Sequence, residues 1–236
     1  MPGKPRYYLP HIPAHVIQRG NNRGACFFAE DDYRYSLTCL NDARQQYHVA
    51  VHAYVLMTNH VHILMTPEDA VGISRLMQSV GRRYVQYINY TYPRSGTLWE
   101  SRHKASLVQA NTYLLICYRY IEMNPVRAQM VSHPGDYLWS SYRHHAYGEA
   151  NPVLQRHDLY QQPDNDPETR QSCYRELFRP ALGKEALHAI RKAVNFSIPL
   201  GNDHFREDIE QTVGRKLGQD KRGRPAKKKS DGGGDK

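Results

Sequence analysis

Hydrophobic and polar positions alternate in short, distinct blocks along the first half of the chain. Ala14 to Arg19 is a brief apolar run that closes on Gly20-Asn21-Asn22-Arg23, which predicts a strand followed by a turn. Tyr33, Leu37, Leu40, Ala43 and Tyr47 then recur at helical spacing, with Asp31 and Asp32 placed to cap that helix. Val49 to Met57 is strongly β-prone, Thr58-Asn59 interrupts it, and His60 to Thr66 resumes it before Pro67. Two such runs around a two-residue break predict an antiparallel hairpin. From Gly72 to Tyr90, Ile73, Leu76, Met77, Val80, Tyr84 and Ile88 mark one helical face, and Arg75, Arg82, Arg83 and Gln86 the other. Lys104 to Gln109 reads as a fourth strand. Asn111 can cap a helix running to about Glu122, which Pro125 stops because the residue before a proline disfavours the α region.

The first six elements are ordered βαββαβ. This is the split-βαβ arrangement of an α+β, ferredoxin-like fold, an antiparallel sheet with helices on one face. It is expected to occupy residues 1–135. After Pro134 the texture changes. Trp139 to Tyr147 is aromatic and basic, residues 162–167 read as a loop, and three short helices are expected near 168–178, 184–194 and 205–217. Residues 136–218 are therefore expected to form a small helical C-terminal region, a weak candidate for helix-turn-helix DNA binding. Residues 219–236 are Gly- and Lys-rich and are expected to form a basic disordered tail.

Composition narrows the class. The chain has 236 residues, enough for a sizeable core, and a mean hydropathy of −0.74. No apolar run approaches the roughly 18 residues of a membrane helix, and no secretory h-region follows the N-terminal charges. A membrane role is excluded and a cytoplasmic location is expected. Cys26, Cys39, Cys117 and Cys173 form no C-x-x-C pair, which suits buried thiols in a reducing compartment rather than a zinc ribbon or disulfide scaffold. Net charge is +9, and between Arg215 and Lys236 nine Lys or Arg face only three Asp. A basic tail on a mildly basic body suggests a polyanion partner, nucleic acid being the common one. Within the tail, Arg222-Gly223-Arg224-Pro225 could place arginines in a narrow minor groove.

Two constellations carry candidate chemistry. In His60-Val61-His62 the imidazoles lie two apart in a strand and share a face, a ready pair of metal ligands. By itself the pair is equally well explained as two unconnected histidines, since the chain holds thirteen. On the last helix Tyr120 and Asn124 lie four apart and share a face. Alone they read as a core tyrosine and a helix-end asparagine. Together, two imidazoles and an amide oxygen make a three-ligand site with open positions, beside a tyrosine hydroxyl that could act as a nucleophile. That hydroxyl, with an ordinary pKa near about 10, needs help to attack at neutral pH. A divalent cation polarising a phosphate would provide it.

These residues resemble a known family. Met57-Thr58-Asn59-His60-Val61-His62 is similar to the HUH motif (His, hydrophobic, His), and Arg119 to Ala128 to the single-tyrosine motif of the same superfamily. More narrowly, the chain resembles the REP-associated tyrosine transposases. Val16 to Arg23 and Leu98-Trp99-Glu100-Ser101-Arg102 add to the likeness, which spans about residues 5–145. The resemblance implies an HUH nuclease domain in which Tyr120 attacks single-stranded DNA, forms a 5′-phosphotyrosine link and releases a 3′-OH. It implies that His60, His62 and Asn124 hold Mg²⁺ or Mn²⁺, and that the substrates are hairpins of repetitive extragenic palindromes. It favours a monomer over the dimer of insertion-sequence relatives, in a nucleoid-associated setting. Two positions depart from the pattern: His103 stands where relatives often carry an aromatic residue, and Asn124 replaces a longer Gln. Tyr113 lies two turns before Tyr120 on roughly the same face, but only Tyr120 has an amide four residues on.

Arg19, Arg23, Arg82, Arg83, Lys104, Arg127, Arg222 and Arg224 are the expected DNA contacts, since Lys and Arg supply most salt-dependent affinity. The leading expectation is a metal-dependent single-strand DNA endonuclease and strand transferase. A non-catalytic DNA-binding protein that retains the fold is the alternative. A zinc hydrolase on His60 and His62 is a third reading, weakened because catalytic zinc generally takes a third His or a carboxylate.

Overall fold

The computed structural model describes residues 6–162 and 166–217. The terminal segment 219–236, with Arg222 and Arg224, therefore lies outside the described residues. Strand β1 (Ala14–Arg19), helix α1 (Glu30–Gln46), strands β2 (Val49–Met57) and β3 (His60–Pro67), helix α2 (Gly72–Thr91) and strand β4 (Lys104–Leu107) follow the expected order. The sheet runs β2-β3-β1-β4, with every pairing antiparallel. Helix α3 (Ala110–Glu122) comes next, then a short α4 (Asn124–Arg127). Among the described residues five further helices follow: α5 (Tyr142–Tyr147), α6 (Asp158–Gln161), α7 (Pro167–Glu176), α8 (Lys184–Phe196) and α9 (Asp203–Val213).

The two helices of the βαββαβ unit lie on one face of the sheet, as expected, and the later helices cover the other face. The crossover helices α1 and α2 bury Leu40, Ala43, Ile73, Leu76 and Ile88 against Val16, Val61, Ile63 and Met65. On the opposite face α3 and the C-terminal helices bury Leu114, Cys117, Tyr118, Ile121, Tyr174 and Ile190 against Ala53, Val55 and Leu64. A strand covered on both sides reads as a continuous apolar run rather than an alternating one. β2 serves both cores by means of a bulge at His52. Val49 and Val51 face the first core; after the extra residue, Tyr54 and Leu56 face it, and Ala53 and Val55 face the second.

Helix termini also differ from the capping expected. α1 is capped at Ala29, and Asp32 sits one turn inside, reaching back to accept from the Phe28 and Ala29 amides at 2.7 and 3.0 Å. The same buried carboxylate accepts from the Tyr87 and Tyr92 hydroxyls, which ties the start of α1 to α2. α3 begins after Gln109 rather than at an Asn111 cap. It stops at Met123, and Pro125 is the second residue of α4, in a first turn whose N–H groups have no intrahelical acceptor, so a residue without N–H is tolerated.

The C-terminal region closes both sheet edges. Trp139 and Ser141 exchange backbone hydrogen bonds with Leu56 and Tyr54 along the outer side of β2. Beside β4, Leu200 donates its N–H to Leu107 O at 2.7 Å and accepts from Gln109 N–H at 2.8 Å, and the Ser106 hydroxyl donates to Ile198 O at 2.7 Å.

Candidate active site

The antiparallel register of β1 and β3 sets Arg19 opposite His60 and Ile17 opposite His62. Residues paired in this way share a face. His15, Ile17 and Arg19 thus project with His60, His62 and Leu64 towards α3, while Val61 turns into the first core. His15 and His62 are almost fully buried, at 1% and 2% exposed. Their rings stack at 5.0 Å, and His15 Nε2 meets His62 Nδ1 at 2.8 Å. α3 brings Tyr120 over this pair, edge-on to His15 at 5.8 Å and to His62 at 5.7 Å.

Each partner leaves a defined atom uncommitted. The Asn59 side chain donates from Nδ2 to Arg23 O, so its Oδ1 is the atom that accepts from His60 Nδ1 at 2.6 Å. The proton is then on Nδ1, and the His60 Nε2 lone pair is left for a ligand. His62 spends Nδ1 on His15 and likewise keeps Nε2. Burial, reinforced by the positive charge of Arg19, lowers the His60 pKa to about 4. Burial also holds His62 well below its ordinary value, with His15, His60, Arg127 and Arg19 adding to the effect. Both imidazoles are neutral near pH 7, as a ligand must be.

The break at Met123 turns α4 back over the tyrosine. Arg127 donates from Nη2 to Tyr120 O at 2.6 Å, and its guanidinium lies 4.4 Å from the centre of the Tyr120 ring. Its Nη1 is buried without a partner, as is Asn124 Nδ2. Burial lowers the Arg127 pKa to about 10, which leaves it charged at neutral pH. Tyr120 and Asn124 do not belong to one uninterrupted helix, as their spacing had suggested; Asn124 opens the following turn.

Of the expected DNA contacts, Arg19, Lys104 and Arg127 are on the imidazole side of the sheet, and the exposed Arg23 touches Asn59 through its backbone. Arg82 and Arg83 are not brought together with them. They are carried by α2 on the opposite side, where Arg82 lines a cleft with Tyr47 and Arg75, and Arg83 pairs with Asp42 at 2.9 Å. His103 is buried and bonds the Tyr8 hydroxyl at 2.7 Å, which gives it an internal partner. Tyr113 is half-buried against the second core, and Tyr118 is wholly buried.

Two residues escaped the sequence reading. His15 meets His62 only because β1 and β3 pair in this register, although its strand parity with Arg19 was visible. Arg191, on α8, is close enough to lower the Arg127 pKa, and the same helix presents Lys184, His188 and Lys192 along a groove shared with Arg206. Nothing in the spacing of α8 ties it to a tyrosine seventy residues earlier.

As a donor set, His60, His62 and Asn124 fit a divalent cation: two neutral imidazoles with free Nε2 atoms and one amide whose side-chain oxygen is a neutral hard donor. Among the described residues no group of three or more His, Cys, Asp or Glu side chains forms a metal cage.

The model of the IS200-like transposase family matches residues 9–124, and through that domain the chain belongs to the family. Among solved structures, a REP-associated tyrosine transposase bound to a REP hairpin superposes with a TM-score of 0.54 at 16% identity, covering 66% of this chain and 93% of that one. A putative transposase from Deinococcus radiodurans R1 is 24% identical over 51% of this chain and 95% of its own, with a TM-score of 0.35. No curated protein matches the chain. Among the described residues no helix is long and apolar enough to cross a membrane.

Proposed function

We propose that this transposase is a single-strand DNA endonuclease and strand transferase that uses Tyr120 as its nucleophile. The observation that carries the reading is the position of the Tyr120 ring, edge-on to His62 at 5.7 Å and under the Arg127 guanidinium at 4.4 Å. A tyrosine packed for stability alone has no need of a charged guanidinium with a buried, unpaired Nη1.

In this reading the Tyr120 hydroxyl gives up its proton and its oxygen attacks a DNA phosphorus. The bond from phosphorus to the 3′ oxygen breaks, and that oxygen leaves as a 3′-OH once protonated. The product is a 5′-phosphotyrosine, which preserves the bond energy for rejoining to another 3′-OH without a nucleotide cofactor. In this reading Arg127 Nη1 would donate to a non-bridging phosphate oxygen, and Arg19 would add positive potential from the paired strand. His60 and His62, through Nε2, and Asn124, through its amide, would hold Mg²⁺ or Mn²⁺. When bound, the ion would polarise the scissile phosphate and offset its charge.

The DNA partner proposed is a hairpin with a single-stranded flank; the superposed REP-associated tyrosine transposase is bound to a REP hairpin. The exposed Lys104, Arg191, Lys184 and Lys192 support a path for the flank beside β4 and α8.

A covalent-trapping assay tests the proposal. Labelled hairpins with flanking single strand are incubated with Mn²⁺, Mg²⁺ or EDTA, then resolved under denaturing conditions. Wild type is expected to give a metal-dependent protein–DNA adduct, and Tyr120→Phe to give none while still binding the hairpin. Binding without an adduct in either metal would instead identify a non-catalytic DNA-binding protein.

A further inference from the structure

We infer that His15 is a positioning residue for the His62 ligand: it accepts the His62 Nδ1 proton and so fixes the tautomer and ring angle that aim Nε2 at the cation. The inference rests on the metal reading proposed above.

The geometry leaves little freedom. His15 Nε2 and His62 Nδ1 are 2.8 Å apart, in a pocket where the two residues are 1% and 2% exposed. Only one hydrogen can occupy that gap. If His62 is to bind through Nε2, the hydrogen must be on its own Nδ1, and His15 Nε2 must be the acceptor. As the acceptor in that contact, His15 Nε2 carries no hydrogen. His15 therefore serves as a neutral acceptor. Metal-binding histidines usually give the second N–H to a carboxylate, a backbone carbonyl or water. Here a second imidazole occupies that role, and the neighbouring ligand obeys the same logic with Asn59 Oδ1 as acceptor for His60.

The sheet explains why a strand residue can do this. His15 is opposite Leu64, and His62 is opposite Ile17, so the two imidazoles form a diagonal pair on one face. Diagonal neighbours are within reach of aromatic side chains. The His15 ring also rests edge-on against Tyr120 at 5.8 Å, so one residue supports both the ligand and the nucleophile.

The test compares His15→Gln, whose amide oxygen can reach roughly where Nε2 lies, with His15→Leu and His15→Met, which offer no comparable acceptor. Mn²⁺ binding to the DNA-free full chain is followed by the electron paramagnetic resonance of free Mn²⁺, with His62→Ala as the control for site occupancy. Thermal midpoints identify the variants that fold, and either non-accepting variant suffices. The expected result is Mn²⁺ affinity weakened about 10–100-fold without the acceptor, the range seen when such supporting partners are lost. His15→Gln should stay close to wild type. Hairpin affinity in EDTA should be unchanged in all of them. Wild-type binding of Mn²⁺ that survives unaltered in a folded His15→Leu or His15→Met variant would overturn this inference alone. A wild type with no His62-dependent Mn²⁺ binding would overturn the metal reading and this inference with it. If neither non-accepting variant folds, His15→Gln decides: loss of Mn²⁺ affinity in that folded variant would also count against the acceptor role.

Discussion

A buried histidine is costly unless each ring nitrogen has work to do, and His52 shows how the chain satisfies one. It is the extra residue of the β2 bulge, donates from Nδ1 to Gln155 O at 2.8 Å and accepts at Nε2 from Thr66 Oγ1 at 2.8 Å. Protonation would turn that acceptor into a donor facing a hydroxyl, and burial already lowers the His52 pKa to about 4. The unfolded value is near about 6.5. Because the unfolded chain binds the proton more readily, this stability is present above pH ~6.5 and declines as pH falls towards ~4. His15 and His60 add to the loss in the same direction. Urea midpoints should therefore fall between pH 7 and pH 5, and less steeply in His52→Gln; parallel slopes would refute the assignment. At this scale the His60 and His62 pair was legible, because strand alternation is local. The diagonal reach of His15 was not, since it depends on register with a strand forty residues away in sequence.

Helix α3 carries the proposed nucleophile, and a buried carboxylate helps hold that helix in place. Glu122 is fully buried and accepts from Ser141 Oγ at 2.6 Å, Tyr174 OH at 2.6 Å and His145 Nδ1 at 2.8 Å. These donors come from α5, α7 and the residue preceding α5, so the C-terminal region grips α3 two positions beyond Tyr120. Glu122→Ala would leave three buried donors unmet and is expected to cost about 3–5 kcal/mol in equilibrium unfolding. A loss under about 1 kcal/mol would show that water or rearrangement replaces the carboxylate. Helical periodicity found α1, α2 and α3 because each has one long apolar stripe. It could not find the stop at Met123, where the turn of α4 brings Arg127 onto Tyr120, since that contact forms only between two elements.

For the whole molecule, the sheet edges decide how copies can meet. An open edge strand offers unpaired amides and carbonyls to a second chain. Here the segment around Trp139 to Ser141 covers β2, and Ile198 to Leu200 covers β4. Edge-to-edge association is blocked on both sides, so sedimentation should give a species of about the chain mass, 27.4 kDa. A dimer at micromolar concentration would require a different surface. Leu217 and Ile209 also pack into the first core, so the C-terminal region shares the packing of the sheet on both faces.

By itself the sequence determined the strand order, the helix order and the pairing of the two imidazoles on one strand face. All of these follow from periodicities of two and of about 3.6 residues. The tertiary structure alone decided that both sheet faces are covered, that Arg82 and Arg83 face away from the imidazoles, and that His15, Arg127 and Arg191 surround the site. Those outcomes depend on register, on the break after α3 and on a C-terminal region folded back across the sheet, and contacts between distant segments leave no period in the chain.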